Sequence, residues 1–250
     1  MMESYLPEMI GMTKGIRSGR SVYEGYQRGW GLEFGGLRDK VSQDPLYNEA
    51  LQFARGRTIL AEQNRMNIFL IIRFFLSRIP FGHIIEFGSY LGGNAIFMAY
   101  VAGKLYPGIK VYALDSFKGM PAPDKAVDAH TEGDFGNVDL DELRRFVRDS
   151  SITNLVLVKG YFEDTAEDVL NEAKHIALAH IDCDIYPSVK YSYEVVRRYM
   201  VGGGYIVLDD ATSPSCIGAT EAVESLIIRR DGMNSEQISP HFVFRAFESR

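Results

Sequence analysis

Residues 176–186, Ile176-Ala-Leu-Ala-His180-Ile-Asp182-Cys183-Asp184-Ile-Tyr186, decide the fold, because an apolar run that reads as a buried strand stops at two carboxylates. A strand serving only the core would not end this way. The pattern returns in Gly202-Gly-Gly-Tyr-Ile-Val-Leu-Asp209-Asp210. Two strands that deliver acids at their carboxyl ends fit an open α/β sheet, where ligands bind outside that edge.

Outward from these residues, strand-like runs alternate with amphipathic stretches. The strands His83–Gly88, Lys110–Asp115, Leu155–Lys159, Ile176–Asp182 and Tyr205–Asp209 are followed in turn by Asn94–Leu105, Leu140–Arg148, Thr165–Ala173, Val189–Met200 and Ala219–Arg229. A last strand falls near His241–Phe247. Five βα units and a terminal strand predict an α/β fold with a doubly wound, mainly parallel sheet. Upstream, Arg57–Ile79 is apolar on more than one face and closes at Pro80 and Gly82, which predicts a mostly buried helix.

Residues 11–36 hold eight of the 24 glycines, interleaved with Tyr23, Tyr26, Trp30 and Phe34. That mixture argues against a regular helix. It suits either a loop that folds over a ligand or a neighbouring subunit, or a partly disordered leader. We therefore expect an amino-terminal arm or lid over residues 1–56 and the main domain over 57–250.

A chain of 250 residues with 46% hydrophobic composition builds a substantial core. The 27 basic and 33 acidic residues give a net charge of −6 with no basic block, so nucleic acid is excluded as an expected partner. Cys183 and Cys216 lie outside any disulfide or metal-binding spacing, which suits a reducing, cytoplasmic setting. The amino terminus has no continuous apolar stretch, and the run Met66–Phe75 is too short to span a bilayer. A soluble protein without a membrane partner is expected.

The first βα turn reads Glu86-Phe-Gly88-Ser89-Tyr90-Leu-Gly92-Gly93-Asn94. Its glycines permit close approach of a ligand to backbone N–H groups, yet it is not the GxGxxG of dinucleotide binders. An acid at Glu86 would repel a pyrophosphate and attract a cationic ligand. S-adenosylmethionine, with its ammonium and sulfonium, has that character. Asp115 ends the second strand, where an acid accepts hydrogen bonds from ribose hydroxyls, or alternatively caps its own turn. After the third strand, Phe162 and Glu163 are placed to flank an adenine, unless Asp164 or Thr165 merely caps a helix.

Asp182, Asp209 and Asp210 gather three carboxylates at adjacent strand ends, which repel one another unless a cation or shared protons intervene. An all-oxygen set favours a hard ion such as Mg²⁺, which lowers the pKa of an acceptor hydroxyl. The plainer alternative makes Asp209 and Asp210 turn caps and leaves Asp184 facing water. His180 shares a strand face with Asp182 and is either functional or a hydrogen-bonded core residue. His130 lies in the long polar loop 116–138, which leaves the second strand on the same edge, and would serve as a base if that loop closes.

Glu86-Phe-Gly-Ser-Tyr-Leu-Gly-Gly, Asp115-Ser-Phe-Lys-Gly119, Lys159-Gly-Tyr-Phe-Glu-Asp-Thr165, His180-Ile-Asp-Cys-Asp-Ile-Tyr186 and Gly203-Gly-Tyr-Ile-Val-Leu-Asp-Asp210 together resemble the macrocin O-methyltransferase family, in order and spacing from about Arg57 to Glu224. The resemblance implies a class I, Rossmann-like methyltransferase with a seven-stranded sheet, acting with Mg²⁺ on a hydroxyl of a small molecule such as a deoxysugar of a natural-product glycoside. It implies that S-adenosylmethionine is held by Glu86, Gly88, Ser89, Tyr90, Asn94, Asp115 and Ser116, with Phe162, Glu163 and Asp182 beside them. Asp182, Asp209 and Asp210 would hold the metal, Asp182 would also be the base, and the protein would form homo-oligomers. The turn and the acidic strand ends also look like those of catechol O-methyltransferase, but the lysine base expected there is Ile185 here. Competing readings are metal-free methyl transfer to carbon or nitrogen with His130 or Asp184 as base, a nicotinamide-dependent oxidoreductase, and a non-catalytic cofactor-binding subunit.

Overall fold

Alternating apolar runs and amphipathic stretches form a seven-stranded sheet with helices on both faces. A computed structural model describes residues 22–33 and 36–246. The strands are β1 (His83–Phe87), β2 (Val111–Asp115), β3 (Leu155–Lys159), β4 (Ile176–Ile181), β5 (Met200–Leu208), β6 (Ser235–Gln237) and β7 (Phe242–Ala246). Their order is β3-β2-β1-β4-β5-β7-β6; the first five run parallel, and β7 is antiparallel to both β5 and β6. The order reverses between β1 and β4, the place where open sheets of this kind bind ligands. Register puts Glu86 beside Ala113 of β2 and His180 of β4.

The helices are α1 (Val22–Glu33), α2 (Leu37–Ser42), α3 (Pro45–Ala54), α4 (Glu62–Leu70), α5 (Gly93–Leu105), α6 (Leu140–Asp149), α7 (Phe162–Ala173), α8 (Tyr186–Val196) and α9 (Ile217–Ala222). Both faces of the sheet are covered, so the central strands are mostly apolar, with Glu86 and His180 as the buried exceptions near their carboxyl ends. One core joins α1–α5 to the face carrying Ile84, Val111 and Leu178; the other joins α7–α9 to Ile85, Leu114 and Ile206. Asp44 caps α3 through Leu46 N at 2.9 Å and Asp139 caps α6 through Glu142 N at 2.9 Å, contacts worth about 1 kcal/mol each.

Three expectations need correction. Residues 22–33 are helical despite their glycines: at Gly29 a Cβ would lie 2.1 Å from Ser239 O, so glycine there serves close packing of α1 rather than loop freedom. The rest of the glycine-rich stretch, residues 11–21 with 34 and 35, lies outside the described residues. The helix expected over 57–79 begins only at Glu62 and continues through a π-helical turn (Ile71–Phe75) and a 3-10 turn (Leu76–Arg78). Met200, expected to end a helix, opens β5.

Arg57–Ala61 instead forms a rim at the carboxyl edge of the sheet. Arg57 forks onto Glu142 of α6 (2.9 and 2.6 Å) and lies 4.0 Å from the Phe146 ring centre, while its carbonyl accepts Gly93 N at 3.0 Å. Ile59 is left 72% exposed at the opening.

Candidate active site

The carboxyl ends of β1, β2, β4 and β5 surround a cavity of about 490 Å³, within the range of small-molecule sites. Of the expected residues, Glu86, Gly88, Ser89, Tyr90, Asn94, Asp115, Ser116, Phe162, Glu163, Asp182, Asp209 and Asp210 all line it. The turn after β1 needs glycine where it crosses β4: Gly88 has φ +85°, and a Cβ there would lie 1.8 Å from Asp182 O. The turn after β1 and the acidic end of β4 therefore pack directly on each other.

Glu86 is fully buried. Its Oε1 accepts from Asn94 Nδ2 at 2.6 Å and lies 3.1 Å from His180 Nδ1, whereas Oε2 is buried with no partner. A buried, unpartnered carboxylate oxygen is costly unless a donor arrives. Asp115 holds the turn in place: Oδ2 accepts from Ser89 N and Tyr90 N at 2.8 Å each, and Oδ1 from Phe117 N at 2.6 Å. These are the capping contacts of the plainer reading, and they occupy three of the roughly four lone-pair sites of a carboxylate. Burial pushes the Asp115 carboxyl upward against those three bonds. Ser116 is engaged within its own loop, donating to Gly119 O at 2.7 Å and accepting from Lys118 N at 3.0 Å. Phe162 packs edge-on to Phe87 at 5.3 Å, and Glu163 is exposed.

Next to Glu86, oxygens of Asp182, Asp209 and Asp210 come within 4.8 Å of one another, and Asp182 lies equally close to Glu86 and His180. Burial, then repulsion by Asp209, Asp210, Asp184 and Glu86, raises the Asp182 carboxyl well above the usual range. Burial and the carboxylates of Asp184 and Asp209 do the same to Asp210. Asp209 goes the other way. Burial opposes its charge, but His180 and His241 beside it hold the carboxyl below the ordinary value. For His180 burial disfavours the imidazolium, yet Asp209 Oδ1 at 3.7 Å from Nε2 and Glu86 at Nδ1 more than compensate and push its pKa up to about 9. The 3.7 Å contact is an ion pair, too long for a hydrogen bond. His180 thus lies between Glu86 and Asp209, which together favour its imidazolium form.

Asp184 does not face water. Its side chain is 19% exposed, lies 3.8 Å from His130 Nε2 and accepts from Cys216 Sγ at 3.5 Å, while its backbone N–H, at φ 59°, donates to Asp210 Oδ2 at 2.9 Å. The long loop delivers His130 to the cavity together with Met120, Pro121 and Phe135; Asp128 of the same loop accepts from Tyr186 N at 2.9 Å. Cys183 packs in the second core.

Sequence reasoning missed Asn64, Asn67 and His241. Asp209 Oδ1 accepts from Asn64 Nδ2 at 2.8 Å and from His241 Nε2 at 2.7 Å; His241 Nδ1 lies 2.9 Å from Asn67 Nδ2. Burial keeps the His241 imidazole neutral, lowering its pKa. No spacing links these residues to Asp209. The available signal was Asn67 alone, a polar residue between Met66 and Ile68 in an apolar run; Asn64 sits among Gln63 and Arg65 and does not stand out.

Among solved structures, the O-methyltransferase NovP superposes with a TM-score of 0.64 at 20% identity, covering 86% of this chain and 95% of that one. The calicheamicin methyltransferase CalS11 gives 0.59 at 21% identity, covering 81% and 93%. At these identities the likeness is one of fold. A curated relative, the 8-demethyl-8-(2,3-dimethoxy-alpha-L-rhamnosyl)-tetracenomycin-C 4'-O-methyltransferase of Streptomyces olivaceus, is 28% identical over 145 residues. That match takes in 54% of this chain and 55% of the relative, so it spans about half the length of the curated protein. Residues 60–228, which contain every expected site residue, match the family described as macrocin-O-methyltransferase (TylF), and the chain belongs to that family.

Proposed function

We propose that the protein is an S-adenosylmethionine-dependent O-methyltransferase that methylates, with Mg²⁺, a hydroxyl of a small molecule, a deoxysugar of a natural-product glycoside being the class best supported. The observation that carries the reading is the unpartnered Glu86 Oε2, buried at the cavity that the Asp182–Asp209–Asp210 cluster also lines. Glu86 suits a cationic donor, and the neighbouring cluster suits a hydroxyl acceptor. Family membership and the rhamnosyl-directed relative support the acceptor class.

The acidic cluster fits a hard divalent ion: three carboxylates converge, and two of them are pushed toward protonation for want of positive charge. A bound Mg²⁺ would supply Lewis-acid charge that makes an acceptor hydroxyl more acidic. The chain's own residues do the rest. Glu86 takes the donor's ammonium, Asp115 keeps the Ser89–Tyr90 turn against it, and Phe162 and Glu163 flank the adenine. Bound there, S-adenosylmethionine would supply the methyl group, its S–CH₃ bond breaking as the O–CH₃ bond forms so that a neutral thioether leaves, and Asp182 would take the hydroxyl proton. A second reading, favoured by the 3.8 Å approach of His130 to Asp184, gives that proton to Asp184. Orientation and charge placement supply most of the rate.

In this reading the helices before residue 57 belong to the same domain as the sheet, with Leu37, Tyr47 and Ala50 buried in one core with Ile84 and Val111. We also infer a cytoplasmic homo-oligomer; exposed Trp30 and Ile238 support an apolar contact between copies, and sedimentation at several concentrations tests it. Among the described residues no helix is long and apolar enough to cross a membrane. Calorimetry tests the cofactor: S-adenosylmethionine binds the wild type and binds Glu86→Gln at least tenfold more weakly, and NAD(P)H binds neither. Binding of NAD(P)H alone would overturn the reading.

A further inference from the structure

The contacts around Asp209 continue beyond the site as one buried chain of side chains. Arg28 of α1 donates through Nε to Asn67 Oδ1 at 2.7 Å and through a terminal nitrogen to Gln237 Oε1 at 2.7 Å. A guanidinium has donors only, so the oxygen of the Asn67 amide must face Arg28 and its NH₂ must face His241. His241 Nδ1, 2.9 Å from that NH₂, is then obliged to accept. The single proton of the neutral ring therefore sits on Nε2, from which it is donated to Asp209 Oδ1 at 2.7 Å. Asn64 donates to the same oxygen at 2.8 Å. Among the described residues both hydrogen bonds to the Asp209 side chain thus fall on Oδ1, which leaves Oδ2 for a ligand.

We propose that His241 is a positioning residue of the active site, locked by Asn67 and Arg28 in its Nε2–H tautomer so that it fixes Oδ1 of Asp209 and reserves Oδ2 for the cavity. The inference rests on the reading of Asp209 as a metal-binding carboxylate, and it assigns the amino-terminal helix a part in the chemistry. Arg28 and His241 both lie outside residues 60–228, the part that matches the family. All the links are buried: Arg28, Asn67 and His241 are 0% exposed, so water cannot substitute for a missing partner without rearrangement. The relay also requires α1 to sit tightly on the segment before β7, and Gly29 against Ser239 O provides that approach. Partners that orient a ligating carboxylate typically change metal affinity or activity by 10–100-fold when removed.

The test combines a spectrum with a binding measurement on the full chain. Long-range ¹⁵N–¹H spectra of histidine-labelled protein, with His241 assigned from its loss in His241→Leu, should show the proton on Nε2. Manganese(II) binding, read by electron paramagnetic resonance, should weaken about 10–100-fold in His241→Leu and stay within about threefold in His241→Gln, whose amide NH₂ can still donate to Asp209. Binding of S-adenosylmethionine should be unchanged in both. A residue that only filled the core would lower thermal stability and leave the manganese affinity of the folded protein alone. Equal affinities in all three proteins, or a proton on Nδ1, would overturn the proposal. Should His241→Leu fail to fold, the wild-type spectrum and His241→Gln still decide it. A wild type that shows the Nε2–H tautomer but binds no manganese would overturn the metal reading and support the relay.

Discussion

His180 predicts a specific dependence of stability on pH. Its pKa rises from 6.5 to about 9 in the fold because Asp209 and Glu86 outweigh the burial of the ring. The folded state thus binds a proton more tightly than the unfolded chain, so the stabilisation is fully present below pH 6.5 and is lost as pH rises through about 9. At about 1.4 kcal/mol per pKa unit the loss is on the order of 3 kcal/mol. The lowered pKa of Asp209 reports the same contact and is not added to it. For a chain of this length 1 kcal/mol moves the melting temperature by about 2–4 °C, so the wild type should melt roughly 6–12 °C lower at the alkaline end than the His180-independent change alone would give. The assay is thermal melting in EDTA between pH 6 and pH 9.5, approximate bounds chosen to bracket the histidine range. EDTA is needed because a divalent ion would compete with His180 for Asp209. His180→Asn is the reference: its amide can still donate to Glu86 but carries no charge, so its curve should be flatter by that amount. Parallel curves, or stability that rises with pH more in the wild type than in the variant, would refute the reasoning.

Other consequences are equally open to measurement. Gly88→Ala meets Asp182 O and an unfavourable φ together; a left-handed residue costs about 1–2 kcal/mol and overpacking about 1–3 kcal/mol, so denaturant unfolding should show a loss of several kcal/mol. Asp182→Asn and Asp209→Asn should nearly abolish methyl transfer while calorimetry finds S-adenosylmethionine binding retained. Because Asp182 and Asp210 are pushed toward protonation, Mg²⁺ binding should release protons and tighten as pH rises from about 6 to 8; calorimetry in buffers of different ionisation heat reads both effects.

The strands were legible because each is an apolar run with a punctuated end, and the acids at 182, 209 and 210 stood out by interrupting that pattern. The Glu86 turn was legible for the same reason. β6 was not, since Ser235–Gln237 is too short to show alternation. Gly29 misled because glycine that frees a backbone and glycine that admits a neighbouring carbonyl look alike in a sequence. Asn64, Asn67 and His241 reach Asp209 from separate elements, so only tertiary packing reveals them. Asp184, which the plainer reading leaves facing water, is drawn to the cavity by His130 and Cys216, contacts that no sequence spacing announces.

The most direct test of the account uses S-adenosylmethionine labelled with ¹³C at the methyl group, incubated with the purified protein, Mg²⁺ and a set of rhamnosylated and other deoxysugar glycosides. The account predicts a new ¹³C methyl-ether resonance on a sugar carbon–oxygen position, lost in EDTA and in Asp209→Asn. Transfer of the label to carbon or nitrogen, or undiminished ether formation in EDTA, would contradict it.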